Sequence, residues 1–223
     1  DYSKVSFEDH KGIIIKSIGH KDDPGVDILS VIYKHNIPNE FPQEVLEQTE
    51  KISDEIKLED KYRDCTNEMV VTIDGDDAKD LDDAISVVKT KKGYRLKVFI
   101  ADVSRYVTED SPLDKEAANR GCSVYLADRV VPMLPRKLSN NICSLNPHVL
   151  RYTICCDIDF NTKGYPESYD IYPAVIKSKG RLTYKKVNEV YAENKETIEE
   201  YKEYVPMLKT ALELSTKIRA NRE

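Results

Sequence analysis

Hydrophobic and polar positions change their period several times along the chain, and each change marks a different element. Residues 1 to about 39 read as short strands and turns. Gly12-Ile13-Ile14-Ile15 and Asp27-Ile28-Leu29-Ser30-Val31-Ile32-Tyr33 are rich in β-formers, and Asp23-Pro24-Gly25 between them is a turn signal. So short a piece cannot bury a core of its own, and it is expected to be the tail of a preceding small β domain. From Glu40 to Ile56 the pattern becomes helical and strongly acidic, with Val45, Ile52 and Ile56 at helical spacing. Pro42 stands where a first-turn proline is tolerated. Residues 40–65 therefore read as a helical connector lying on a surface.

Strand character starts at Met69-Val70-Val71-Thr72-Ile73. A hairpin follows, with arms near Ala84–Lys89 and Tyr94–Ala101 joined through Thr90-Lys91-Lys92-Gly93. The second arm alternates, placing Tyr94, Leu96, Val98 and Ile100 on one face. Ser111-Pro112-Leu113-Asp114 supplies an N-cap and a first-turn proline for a short helix that Gly121 stops. Further strands are expected at Ser123–Leu126, Tyr152–Phe160 and Tyr169–Ile176. Beyond Lys185 the chain reads as helical, with Tyr201, Val205, Leu208 and Leu212 in an apolar stripe. The expected class is α+β: a mixed, largely antiparallel sheet with flanking helices over residues 66–223, preceded by the connector and the β tail.

Composition narrows the picture. The 223 residues are 40% apolar, enough for a real core. The formal net charge of −6 argues against an unaided nucleic-acid binder, which carries a basic footprint. It leaves room for an enzyme whose acids hold a cation that in turn meets phosphate. Cys65, Cys122, Cys143, Cys155 and Cys156 are odd in number and contain no CxxC pair, which fits reduced thiols in a cytoplasmic protein. No apolar run approaches a membrane span, and no signal peptide is evident. The chain starts without methionine and runs out in a helical pattern, so it reads as an excised piece of a longer protein.

The chemistry concentrates in Thr72-Ile73-Asp74-Gly75-Asp76-Asp77-Ala78-Lys79-Asp80-Leu81-Asp82-Asp83-Ala84, where six of the ten residues from Asp74 to Asp83 are aspartates. Two unit charges about 4 Å apart repel by roughly 4 kcal/mol at an effective dielectric near 20, so such a stack is costly unless a cation offsets it. A solvated acidic loop is the plain alternative. Two features disfavour it: all six acids are Asp, and strands bracket the run. The EF-hand pattern fails, because its required glycine and glutamate positions hold Lys79 and Ile85. Short oxygen-only ligands suit magnesium, and the implied chemistry is phosphoryl transfer or phosphodiester cleavage. In the hairpin, residues whose numbers sum to about 183 should face each other. That brings Asp102 to the same end of the sheet, to back the cluster or to cap the following loop; the sequence leaves both open. Asp157-Ile158-Asp159 resembles the DxD opening of haloacid dehalogenase-type phosphatases. Asn161 displaces the expected threonine, however, and Asn161-Thr162-Lys163-Gly164 reads as a hairpin turn.

The acidic segment closely resembles the signature of the ribonuclease II/ribonuclease R family, TIDG-(D/E)-DA-(K/R)-D-(L/F)-DDA, with every fixed position present. Matches follow in the family's order at Ile100–Ser104, Asn119–Tyr125, Val131–Pro135, Leu138–Asn140, Cys143–Pro147 and Arg181–Tyr184. Gly19–Ile28 is similar to the end of the OB-like cold-shock domain found in the ribonuclease R branch. The one departure, Tyr62-Arg63-Asp64-Cys65-Thr66, touches only the local connector. The resemblance implies a hydrolytic, magnesium-dependent 3′-to-5′ exoribonuclease acting on the 3′ end of single-stranded RNA and releasing 5′-mononucleotides. It implies no organic cofactor and no membrane partner. It assigns the four family acids to Asp74, Asp80, Asp82 and Asp83, with Asp74 and Asp83 as direct metal ligands. Asp80 and Asp82 become the catalytic partners that hold a second ion or position water, and Tyr125 becomes the platform that stacks on a base. The family's arginine-rich motif and C-terminal OB-type domain are expected beyond Glu223, so the isolated piece is expected to be weakly active or inactive.

Overall fold

The computed structural model describes residues 2–8 and 11–222, with the side chains of residues 2–8 and 11 left aside. Along the chain the strands are β1 (Tyr2–Glu8), β2 (Lys11–Gly19), β3 (Arg63–Cys65), β4 (Val71–Asp74), β5 (Asp83–Lys89), β6 (Gly93–Ala101), β7 (Val124–Tyr125), β8 (Val130–Val131), β9 (Leu150–Asn161), β10 (Pro166–Lys177) and β11 (Gly180–Thr183). The α-helices are α1 (Val26–Lys34), α2 (Gln43–Lys51), α3 (Pro112–Arg120), α4 (Tyr184–Tyr191), α5 (Lys195–Glu200) and α6 (Val205–Ala220). They gather into two compact units, Asp1–Ile52 with Val107–Pro135, and Ser53–Tyr106 with Arg136–Glu223.

In the first unit β1 and β2 form an antiparallel hairpin. The stretch 27–33, expected as a strand, is instead part of helix α1. Its apolar residues fall in pairs, Ile28-Leu29 and Val31-Ile32, a spacing that serves a 3.6-residue period as well as a run of β-formers. Gly25 at φ 79 starts the helix, Asp27 stands in the first turn and Lys34 in the last, and Val26 and Ile32 are buried. Helix α2 is shorter than expected: Pro42 is its N-cap, and Ile52 and Ile56 lie beyond its end. It buries Val45 and Thr49, and its Gln48 Oε1 accepts from the Leu113 amide at 3.0 Å. Helix α3 has the expected start and stop, with Ser111 Oγ accepting from the Asp114 amide and Gly121 at φ 74 after Arg120.

The second unit is built on a seven-stranded sheet in the order β11-β4-β5-β6-β9-β10-β3. Its five central strands are antiparallel, and the edge pairs β11–β4 and β10–β3 are parallel. The β5–β6 ladder runs from Asp83↔Ile100 to Lys89↔Tyr94. Gly93 closes its turn at φ 153, where a Cβ would stand 2.1 Å from the Phe160 carbonyl oxygen. Only glycine fits there.

Helices α4 to α6 cover part of one sheet face, burying Val71, Val87, Tyr94, Phe160 and Leu182 against Val187, Val190, Met207, Leu208 and Leu214. Each fully buried side chain of Leu size contributes about 1.5–3 kcal/mol. The α6 stripe is rotated from the expected one. Met207, Leu208 and Leu214 face the core, whereas Leu212 is 39% exposed. The cause is that Tyr201 belongs to the turn before the helix, so it cannot set the helix phase. Along β6, Tyr94 is buried and Ile100 is 48% exposed, because the helical layer reaches only one end of the strand. No helix among the described residues is long and apolar enough to cross a membrane.

Candidate metal centre

Strand β4 enters the acidic segment and β5 leaves it. The two strands share a single bridge, Val71↔Ile85, and then part. Asp74 ends β4 and Asp83 begins β5, so the loop between them springs from two diverging strand ends rather than a tight hairpin. Strand β11 supports the outer side of β4 in a parallel ladder ending at Thr183↔Asp74. From that strand Arg181 reaches over the loop, its Nη2 donating to the Asp76 carbonyl at 2.8 Å and approaching that of Gly75 at 3.5 Å.

The rest of the loop is pinned from the inner side. Leu81 is 1% exposed. Its amide donates to Ser144 Oγ at 3.1 Å, and its carbonyl accepts from the Leu145 amide at 2.8 Å. The Ser144 hydroxyl donates in turn to the Lys79 carbonyl at 2.9 Å. The Asp82 carbonyl accepts from the Ala101 amide at 2.9 Å, which ties the loop's end to β6. Asp74 turns one carboxylate oxygen onto the Gly75 amide at 2.7 Å.

Two of the acids have carboxyls shifted by their surroundings. Asp82 reaches solvent, yet surrounding protein removes enough hydration to push its carboxyl above the ordinary range, and the charges of Asp80, Asp83 and Asp74 push it further, in that order. Asp83 is raised for the same reasons, first by burial and then by Asp74. Asp82 thus feels the other three acids expected from the sequence, and Asp83 feels Asp74. Asp76 and Asp77 are exposed and contribute to neither shift. Among the described residues no three acidic, histidine or cysteine side chains stand close enough to form a closed metal shell. Magnesium sites in general take only one or two protein carboxylates and complete their shell with water and substrate phosphate.

Asp102 has a structural task. It is 7% exposed and accepts from Tyr62 Oη at 2.9 Å and Ser104 Oγ at 2.7 Å, so it caps the loop after β6. Asp157 lies within the long hairpin arm β9, engaged by Arg95 Nε at 2.8 Å and Tyr172 Oη at 3.0 Å. The phosphatase-like reading of its DxD fails on that placement. In the other unit Tyr125 sits on the two-residue strand β7, with its side chain 66% exposed. Sequence reasoning assigned no role to Ser144 or Arg181. Both lie in family-like motifs, but their contacts cross 63 to 106 residues of chain.

Comparison with known proteins identifies the family and the fold. The RNB domain family matches residues 62–223, and the cold shock domain family matches residues 3–42. Ribonuclease R 1 of Lactococcus lactis is 45% identical over 216 residues, covering 96% of this chain and 26% of that protein. The structure of Mycoplasma genitalium RNase R with ribose-methylated single-stranded RNA superposes with a TM-score of 0.85 at 35% identity, over 95% of this chain and 33% of that one. The same enzyme with double-stranded RNA gives 0.86 at 35% identity, over 95% and 38%. The chain therefore spans about a quarter to two fifths of the proteins it matches. With its acidic signature at the parting of two strands and a family match over more than half its length, this chain belongs to the RNB domain family.

Proposed function

We propose that this chain carries the acidic half of a hydrolytic 3′-to-5′ exoribonuclease that shortens single-stranded RNA from its 3′ end and releases 5′-mononucleotides with magnesium. The observation that carries the reading is that Asp80, Asp83 and Asp74 add to burial in pushing up the Asp82 carboxyl where β4 and β5 part. The oxygen-only donor set of the four aspartates fits magnesium. The ribonuclease R relatives, one of them solved with single-stranded RNA, support RNA as the substrate class.

Asp74 and Asp83, each at a strand terminus, are the direct ligands in this reading. When bound, magnesium supplies an activated water and neutralises charge on the phosphodiester. Asp80 and Asp82 flank the pinned Leu81, which fixes their backbones for positioning that water or a second ion. Tyr125, exposed on its short strand, supplies a π-face that accepts any base, as a sequence-tolerant nuclease requires.

The test is to incubate the full-length protein carrying this chain with 5′-labelled single-stranded RNA and magnesium, beside its Asp82→Asn variant. A ladder shortening from the 3′ end, dependent on magnesium and lost in the variant, is the expected result. Intact RNA that is still bound, with binding indifferent to the substitution, would make the protein an RNA binder with a relic site.

A further inference from the structure

The acidic loop is held by a residue that is neither acidic nor in contact with the expected substrate. Ser144 is fully buried. Its hydroxyl closes both sides of Asp80, donating to the Lys79 carbonyl at 2.9 Å and accepting from the Leu81 amide at 3.1 Å. A single hydroxyl thereby replaces the ladder partners that β4 and β5 give up where they part. Without it, one amide and one carbonyl would be left unpaired beside a fully buried leucine.

Ser144 is itself anchored. Arg151 is 7% exposed and donates through Nε to the Ser144 carbonyl at 2.8 Å, through Nη1 to the Leu150 carbonyl at 2.8 Å, and through Nη2 to Asn141 Oδ1 at 3.2 Å. Among the described residues no carboxylate forms an ion pair with this buried guanidinium. A buried cation spent on neutral oxygens is costly, and here its hydrogen bonds fasten the turn that presents Ser144. The π-helical turn Leu138–Ile142, just before it, completes the mount.

We infer that Ser144, fastened by Arg151, is a positioning residue for the metal centre, setting the backbone on both sides of Asp80 and so the spacing of Asp80 from Asp82. The inference rests on the proposed nuclease reading. It assigns Ser144 no contact with RNA or metal; it acts through the peptide groups of Lys79 and Leu81.

The experiment compares the full-length protein with its Ser144→Ala variant in three readouts. These are Mn2+ affinity by electron paramagnetic resonance, kcat and KM on single-stranded RNA, and amide hydrogen exchange. In Ser144→Ala, Mn2+ affinity should fall about tenfold or more, the range seen when groups supporting metal ligands are removed. The loss should appear in kcat with KM for RNA unchanged, and Arg151→Lys should show the same split more weakly. Wild-type Mn2+ affinity and kcat in a folded Ser144→Ala variant would overturn the inference. Should that variant fail to fold, the unmodified protein still decides. Its Leu81 amide must be protected from exchange relative to the amides of the exposed Asp76 and Asp77, and equal exchange would show that the clamp is not formed. Failure of the wild-type protein itself to bind Mn2+ and cleave RNA would overturn the nuclease reading, and this inference with it. Failure confined to the variant comparison would overturn this inference alone.

Discussion

The acidic run at the β4–β5 end of the sheet and the Asp157 cluster in its middle are built from the same side chain, yet their surroundings are opposite. Asp157 is 5% exposed and saturated: Arg95 Nε and Tyr172 Oη donate to it, and Lys97 Nζ stands 3.8 Å away. Lys97 is also paired with Glu68, and Arg63 bridges the Tyr172 ring at 3.7 Å to Asp170 at 2.7 Å. Every charge in that cluster is answered within the sheet. At the strand ends, Asp82 meets Asp80, Asp83 and Asp74, and burial and repulsion act on it in the same direction. Carboxylates that serve the fold are matched by the fold. Where neighbouring acids instead add to the cost of burial, as at Asp82, a bound cation would offset it.

The comparison can be broken at either end. The largest effect is expected at the acidic loop, where Asp82→Asn should lower RNA hydrolysis by roughly 10²-fold or more in a turnover assay on the full-length protein. At the matched site, Asp157→Ala strips Arg95 and Tyr172 of their shared partner. It should cost about 2–3 kcal/mol of stability by urea titration, with activity per folded molecule unchanged. Magnesium at ten times its dissociation constant should stabilise the folded state by about 1.4 kcal/mol in thermal unfolding, and Asp74→Asn should erase that gain. The smallest effect concerns the metal-free state, where Asp82→Asn should stabilise by about 0.5 kcal/mol at neutral pH, a modest figure because the carboxyl is half open to solvent.

The last effect carries a sign in pH. A carboxyl whose folded value is raised favours folding when protonated, so its contribution is fully present below its ordinary unfolded range and is lost as pH rises through the folded value. The gap in melting temperature between wild type and Asp82→Asn should therefore close as the solution is acidified below about pH 4. Glu59 and Glu213 behave oppositely. Hydrogen bonds and charge from Arg105 hold Glu59 low, and those from Tyr94 and Lys89 hold Glu213 low, so their stabilisation is lost as pH falls through those lowered values.

Local chemistry made much of this legible beforehand. The hairpin arms lie where alternation placed them, and the observed pairing Asp83↔Ile100 obeys the expected sum of 183. Ser111 and Gly121 bound α3 as capping rules require. The acidic signature could be read as a candidate site because its residues are contiguous. Helix α1 misled because a paired apolar run of seven residues serves either period. The edge ladder β11–β4 was invisible because it joins residues more than a hundred apart. Ser144 escaped for the same reason: a serine is called to a site by distant peptide groups, and nothing in its own neighbourhood announces them.

The glycine at the far turn of the β5–β6 hairpin gives the acid centre a parity. Asp83 opens β5, and the face its side chain takes is fixed by the phase of the ladder that runs from Gly93. A one-residue slip of β5 begun in that turn would carry the Asp83 side chain to the other face without altering the residue itself. Changing the length of the Thr90–Gly93 turn by one residue, where the change is carried into β5, should therefore silence RNA hydrolysis from a distance.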